Sequence, residues 1–315
     1  MIQPVKVVAV TQSDPFFTGR FFEAFLAESA SGPVQLLEIV LLRNFNESRV
    51  ALARRFLKFY GPVDMTRLVG RYAGSRLADR FGTPRSVEAL AARAGVPVRP
   101  LPSINDEAYL RTLGERQVDV LLSVSAPEIF RQQALAAAPH ILNVHNGQLP
   151  RYRGMMPTFW AMLNGEREVT VTLHTMAAKL DAGQVVAEFS VPIEPTDSAF
   201  DISSRAKVVA GREVARLLAA LRTPAWPTPR TIDMTDQRYF KFPTPADVVL
   251  ALARPAHVWP LVCAREPHMP VSGRTPAGAG EKGTAATVAG DVTGARRWER
   301  GGGSWAACGS RPAST

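Results

Sequence analysis

The sequence predicts an α/β fold, a mostly parallel sheet with helices on both faces, and three observations lead there. Short continuous apolar runs at residues 5–10, 34–41 and 118–124 alternate with segments of helical periodicity. The runs do not alternate apolar with polar residues, which is the pattern of strands buried on both faces. A hydrophobic content of 46% over 315 residues supplies a core for one large or two modest domains.

Taken in order, residues 5–10 (VKVVAV) read as a strand, residues 16–29 (FFTGRFFEAFLAES) as a helix and residues 34–41 as a second strand. Residues 43–86 carry ten basic side chains, Arg43, Arg49, Arg54, Arg55, Lys58, Arg67, Arg71, Arg76, Arg80 and Arg85, against the acids Glu47, Asp64 and Asp79. Apolar residues recur there at helical spacing, so the reading is two basic amphipathic helices broken at Gly61-Pro62. They suit solvated surface helices, a patch for an anionic acceptor, or peripheral contact with a membrane surface. Residues 86–94 read as a helix capped at Thr83-Pro84, 96–99 as a short strand, 106–115 as a helix and 118–124 as a buried strand. Residues 130–137 follow as a helix and 140–144 as a strand. A short helical pattern at 159–163 precedes an alternating strand at 169–174, then come a strand at 184–191 and a long amphipathic helix at 198–221. The segment 224–245 is Pro-rich, and residues 271–315 are rich in Gly, Ala, Thr and Pro without periodicity, which predicts disorder.

Several classes are excluded by pattern. No run of about 18 apolar residues exists, so no membrane span is expected. Residues 5–10 begin a strand without a charged and apolar leader before it, so no secretory signal is expected and a cytoplasmic location follows. The only cysteines, Cys263 and Cys308, are late and far apart, which supports neither a disulfide framework nor a metal site. Neither a GxGxxG nor a P-loop pattern is present.

The chemistry concentrates in residues 141–186, ILNVHNGQLPRYRGMMPTFWAMLNGEREVTVTLHTMAAKLDAGQVV. A strand end delivers Asn143 and His145 on one face, because residues two apart in a strand point the same way. A polar loop carrying Asp181-Ala182-Gly183 lies close in sequence. An amide N–H can stabilise an oxyanion, an imidazolium can donate to it, and a carboxylate nearby can hold that charge and manage a proton. Ser123 and Ser125 lack a Ser-His-Asp context and no Cys is near, so an amine or water is the expected nucleophile in an acyl transfer through a tetrahedral intermediate. Read alone, Asn-x-His also suits a strand end with satisfied polar groups, and Asp-Ala-Gly a turn.

The run NVHNGQLPRYRGMMPTFWAML, followed by VTLH and LDAGQVV, resembles the formyltransferases that use 10-formyltetrahydrofolate: glycinamide ribonucleotide, methionyl-tRNA and amino-sugar N-formyltransferases, with the related formyltetrahydrofolate hydrolases. The likeness covers about residues 1–220, with a weaker echo at 239–243, and it implies a Rossmann-like sheet. By that resemblance Asn143, His145 and Asp181 form the catalytic trio, supported by His174 and Thr172. The folate co-substrate is expected against Pro127, Glu128, Ile129, Phe130, Leu180 and Gly183, and the substrate loop is Leu149, Pro150, Tyr152, Arg153 and Gly154, with no metal. The chain departs from the family at Gly147-Gln148, at Thr170 and in the loop 125–130, which touches folate contacts and acceptor choice rather than the trio.

The resulting expectation is a catalytic domain over 1–222 with a basic helical insertion at 43–86, a short C-terminal extension at 223–254 and a low-complexity tail at 255–315. The expected activity is formyl transfer from 10-formyltetrahydrofolate to a primary amine of a small acceptor, an amino-sugar nucleotide or a secondary-metabolite amine. The alternatives are a methionyl-tRNA formyltransferase, a formyltetrahydrofolate hydrolase, or an idle folate- or partner-binding relative. tRNA ranks lower because no C-terminal barrel is legible after residue 222, and the sequence does not decide an oligomeric state.

Overall fold

The computed structural model describes residues 3–14, 16–42 and 49–252, the side chains of 49–52 and 252 excepted. Arg43, Glu47, both cysteines and the tail from 253 onward lie outside the described residues. The chain divides into Met1–Met269 and Pro270–Thr315, and everything described belongs to the first unit.

Strands β1 (Val5–Gln12), β2 (Val34–Leu42), β3 (Val98–Leu101), β4 (Val120–Val124), β5 (His140–His145), β7 (Glu168–Thr175) and β8 (Val185–Pro192) form one sheet in the order β3-β2-β1-β4-β5-β7-β8. The first five of that order pair in parallel, whereas β5–β7 and β7–β8 are antiparallel. The remaining strands, β6 (Arg153–Gly154) and β9 (Tyr239–Phe240), pair only with each other. The antiparallel turn-back at β7 is what brings residues 172–175 alongside 142–145.

Alternation along β1 divides the core into two layers. Val5, Val7 and Ala9 face α1 (Thr18–Ser29), α3 (Val87–Ala94) and α7 (Ala199–Ala219), where Phe21, Phe22 and Phe25 are fully buried. Val8 and Val10 face α4 (Glu107–Glu115) and the one-turn α5 (Gln132–Leu135). Each side chain of this size removed from water contributes about 1.5–3 kcal/mol, which is why the strand runs are apolar on both faces.

The helix boundaries differ from the sequence reading for local reasons. The cap of α3 is Ser86, whose hydroxyl accepts from Ala89 N, rather than Thr83-Pro84. Val96 N is spent on Ala91 O in the α3 cap and Val118 N on Leu113 O in the α4 cap, so β3 and β4 start later than their apolar runs. The helix expected over 130–137 shrinks because Phe130 is buried in the core and Arg131 N donates to Asn105 Oδ1. The long basic segment is α2 (Arg49–Arg80), kinked at Gly61, where φ is 70°. Helix α6 (Pro157–Leu163) follows the site loop, and α8 (Pro245–Leu252) ends the described chain.

Among the described residues no helix is long and apolar enough to cross a membrane. Helix α7 opens with a reciprocal cap: Ser198 Oγ accepts from Asp201 N, and Asp201 Oδ2 accepts from Ser198 N at 2.9 Å. Replacing Ser198 by Ala is therefore expected to lower the unfolding free energy by about 1 kcal/mol, measured as a shift of the urea midpoint at unchanged slope.

Candidate active site

A cavity of about 670 Å³ opens where β1, β4 and β5 end, the edge at which sheets of this kind bind ligands. Its lining includes Asn143, His145, His174 and Asp181. Register explains the first three. Asn143 and His145 project from one face of β5, and β7 sets His174 opposite Asn143 and Thr172 opposite His145.

The tautomers follow from the hydrogen bonds. His174 Nδ1 lies 2.8 Å from the carbonyl of Thr175, which can only accept, so Nδ1 carries the proton. Nε2 is then an acceptor, and Asn143 Nδ2 donates to it at 3.0 Å. Burial, with the neighbouring His145 second, pushes the His174 pKa down to about 4, so this ring is neutral at neutral pH. The bond fixes the turn of the Asn143 amide group, which lines the cavity.

His145 is held differently. Its Nε2 lies 2.6 Å from the carbonyl of Tyr152 and donates to it, so in the neutral ring Nδ1 is bare, and in the charged ring Nδ1 carries a second proton. Nδ1 is 3.9 Å from Asp181 Oδ1, too long for a hydrogen bond but within reach of charge attraction. Tyr152, not Asp181, therefore orients the imidazole. Asp181 Oδ1 is equally 3.9 Å from His174 Nε2, while Oδ2 accepts from Gly154 N at 3.0 Å. Both His145 and Asp181 are 8% exposed, which removes the water that would otherwise screen their interaction.

The other singled-out residues divide between lining and scaffold. Thr172 is fully buried and its hydroxyl donates to Gly147 O at 2.7 Å, fixing the turn after β5. Glu128, Ile129, Phe130 and Leu180 line the cavity, whereas Pro127 and Gly183 do not. The Glu128 carboxylate accepts from Ser103 Oγ, Ile104 N and Asn105 Nδ2, so it ties down a neighbouring loop. Gly183 is packed so tightly that a Cβ would sit 1.6 Å from Thr175 O.

Of the loop Leu149–Gly154, only Gly154 reaches the cavity. Leu149 is buried against Val185 and Ile232, and Pro150 O accepts from Arg238 N. Tyr152 donates its hydroxyl to Glu166 and stacks on Phe240. Arg153 is buried, donating to Gln237 Oε1 and to the carbonyl of Leu180. The β6–β9 pair clamps this loop, so residues 237–240 of the Pro-rich segment act as its buttress.

Three groups escaped the sequence reading. Asn146 lines the cavity, while its Oδ1 is buried and makes no hydrogen bond. Lys207 is buried on the apolar stripe of α7, donates to Ser125 Oγ at 2.8 Å and faces Asp14. Burial pushes its pKa down to about 8, while that carboxylate opposes the shift. A Lys spaced with Ala210 and Val214 on a buried helix face was the available signal. The third group is α2: Phe56, Phe59, Tyr60 and Leu68 wall the cavity, so its inner face is not solvated. Among the described residues no cluster of three or more His, Cys, Asp or Glu could hold a metal ion.

The family model described as formyl transferase matches residues 70–218. Among solved structures, a sugar N-formyltransferase from Shewanella sp FDAARGOS_354 is 16% identical, with 76% of this chain and 77% of that one covered and a TM-score of 0.49. Glycinamide ribonucleotide transformylase 1 from Symbiobacterium toebii is 18% identical over 73% of this chain and 95% of its own, with a TM-score of 0.48. An N-formyltransferase from Helicobacter canadensis, in complex with folinic acid and dTDP-3-aminofucose, is 14% identical over 76% of this chain and 71% of its own, at 0.45.

The displaced His174 pKa makes stability depend on pH. The folded value of about 4 lies below the ordinary 6.5, so between the two the unfolded chain binds more protons. This contribution is complete above about pH 6.5 and is lost as pH falls to about 4, by at most on the order of 3 kcal/mol. Urea midpoints at about pH 7.5 and about pH 5 should differ less in His174→Gln than in the unaltered chain.

Proposed function

Because residues 70–218 match the family model described as formyl transferase, we propose that this protein transfers the formyl group of 10-formyltetrahydrofolate to a primary amine of a small acceptor. The observation that carries the proposal is the meeting of Asn143, His145 and Asp181 in one cavity, on three separate supports: β5, the Tyr152 carbonyl and the Gly154 N–H.

The cavity suits the donor. Its volume lies in the range of small-molecule sites, and the wall formed by Ala126, Ile129, Met176 and Leu180 is apolar. The folate supplies the formyl carbon on a nitrogen leaving group.

The residues do the rest. The amine lone pair forms a bond to the formyl carbon, and the carbonyl electrons move onto its oxygen. The free Nδ2–H of Asn143 and the Nδ1–H of charged His145 donate to that oxygen, preorganised by His174 and Tyr152. The attacking nitrogen gives up a proton, which Asp181 takes directly or through water, and that proton leaves with the folate nitrogen as the carbon–nitrogen bond breaks. A formamide and tetrahydrofolate result. Neutral His174 leaves His145 as the single imidazole available to carry charge, which avoids two cations side by side.

The direct test follows tetrahydrofolate release with and without amines. His145→Ala should reduce turnover on the order of 100-fold or more. Asp181→Asn keeps an acceptor oxygen for Gly154 N–H, so turnover should fall by a similar factor while the thermal midpoint moves little. Undiminished turnover in either variant removes that residue from the mechanism, and release without any amine indicates hydrolysis instead.

A further inference from the structure

Resting on the formyl-transfer reading, we infer that the acceptor is an amine with an apolar body, aromatic or aliphatic, rather than a nucleotide-linked sugar. The cavity has two dissimilar walls, one over each layer of the core. The layer of α4 and α5 contributes the loop at Ala126–Phe130. Facing it, the β1–α1 loop, α2 and the start of α7 contribute Phe16, Phe17, Phe56, Tyr60, Leu68 and Phe200. These pack on one another, with Phe17 and Phe200 ring centroids 4.9 Å apart and Phe56 and Tyr60 5.7 Å apart. They enclose a chamber whose surface is aromatic, and such surfaces bind apolar groups by removing them from water.

The charges lining the cavity point the same way. Among the described residues, histidines aside, they are the carboxylates Asp14, Glu128 and Asp181 against the cations Arg55 and Lys207. Lys207 faces Asp14 and donates to Ser125 Oγ, and the Arg55 guanidinium lies over the Phe242 ring. A polyanionic diphosphate seeks clustered guanidinium, ammonium or amide donors, and the described lining offers it two cations beside three carboxyl groups. An ammonium ion arriving from water is instead drawn in; it gives one proton to water before its lone pair attacks, and the proton lost after attack is the one Asp181 takes.

Steady-state rates of tetrahydrofolate release from the full chain, with phenylethylamine, hexylamine and a dTDP-linked amino sugar as acceptors, test the inference. Calorimetric titration of phenylethylamine without donor runs in parallel. The apolar amines should exceed the nucleotide-linked sugar in kcat/KM by about 10-fold or more, and Phe56→Ala should weaken phenylethylamine binding by about 10-fold. A nucleotide-linked sugar preferred by that margin, or phenylethylamine binding that ignores Phe56, overturns the acceptor class and leaves formyl transfer standing. Phenylethylamine that binds through Phe56 while no amine releases tetrahydrofolate supports the chamber and overturns the formyl-transfer reading. The wild-type comparison decides the matter even if Phe56→Ala folds poorly.

Discussion

The site depends on one cross-strand contact, the hydrogen bond between Asn143 and His174. It exists because β7 returns antiparallel beside β5 and sets the two residues opposite each other. The bond works only if His174 is neutral and protonated on Nδ1. Burial and the Thr175 carbonyl impose both conditions. A charged His174 would compete with Asn143 as a donor and place a cation beside His145. Desolvation, ordinarily a cost for a polar side chain, is here the means of holding an amide in one orientation.

The second support comes from the backbone. The Tyr152 carbonyl holds His145, Gly154 N–H holds Asp181, and buried Arg153 reaches the Leu180 carbonyl one residue before Asp181. Three consecutive residues of one loop therefore govern two of the three functional groups. The loop is itself clamped by β9, and a Cβ at Gly154 would lie 2.2 Å from Phe240 O. The motif that resembles a substrate loop is in this structure a bracket, and its side chains point away from the cavity because their work is structural.

Helix α2 joins charge to enclosure. Its basic residues Arg54, Lys58, Arg76 and Arg80 are exposed, while Phe59 and Leu68 are buried and Phe56 and Tyr60 half-buried. The same helix thus presents a cationic exterior and an aromatic interior, and the interior shapes the cavity. The kink at Gly61 lets its two halves change direction between the α6–α8 cluster, which Phe59 joins, and the Leu68–Phe200 cluster.

Sequence by itself determined the strands and helices of the sheet, the buried character of β1 and β4, the break in α2, and the placing of Asn143 and His145 on one strand face. These follow from periodicity and from the fixed direction of side chains along a strand, both local properties. It also identified His174 and Asp181 as residues of interest, through resemblance. Only the tertiary structure decided that Tyr152 rather than Asp181 orients His145, that Lys207 is buried opposite Asp14, that Asn146 is left without a partner, and that α2 closes the cavity. Each depends on atoms brought together from distant parts of the chain, or on a backbone carbonyl that any residue type supplies, so no residue pattern encodes it.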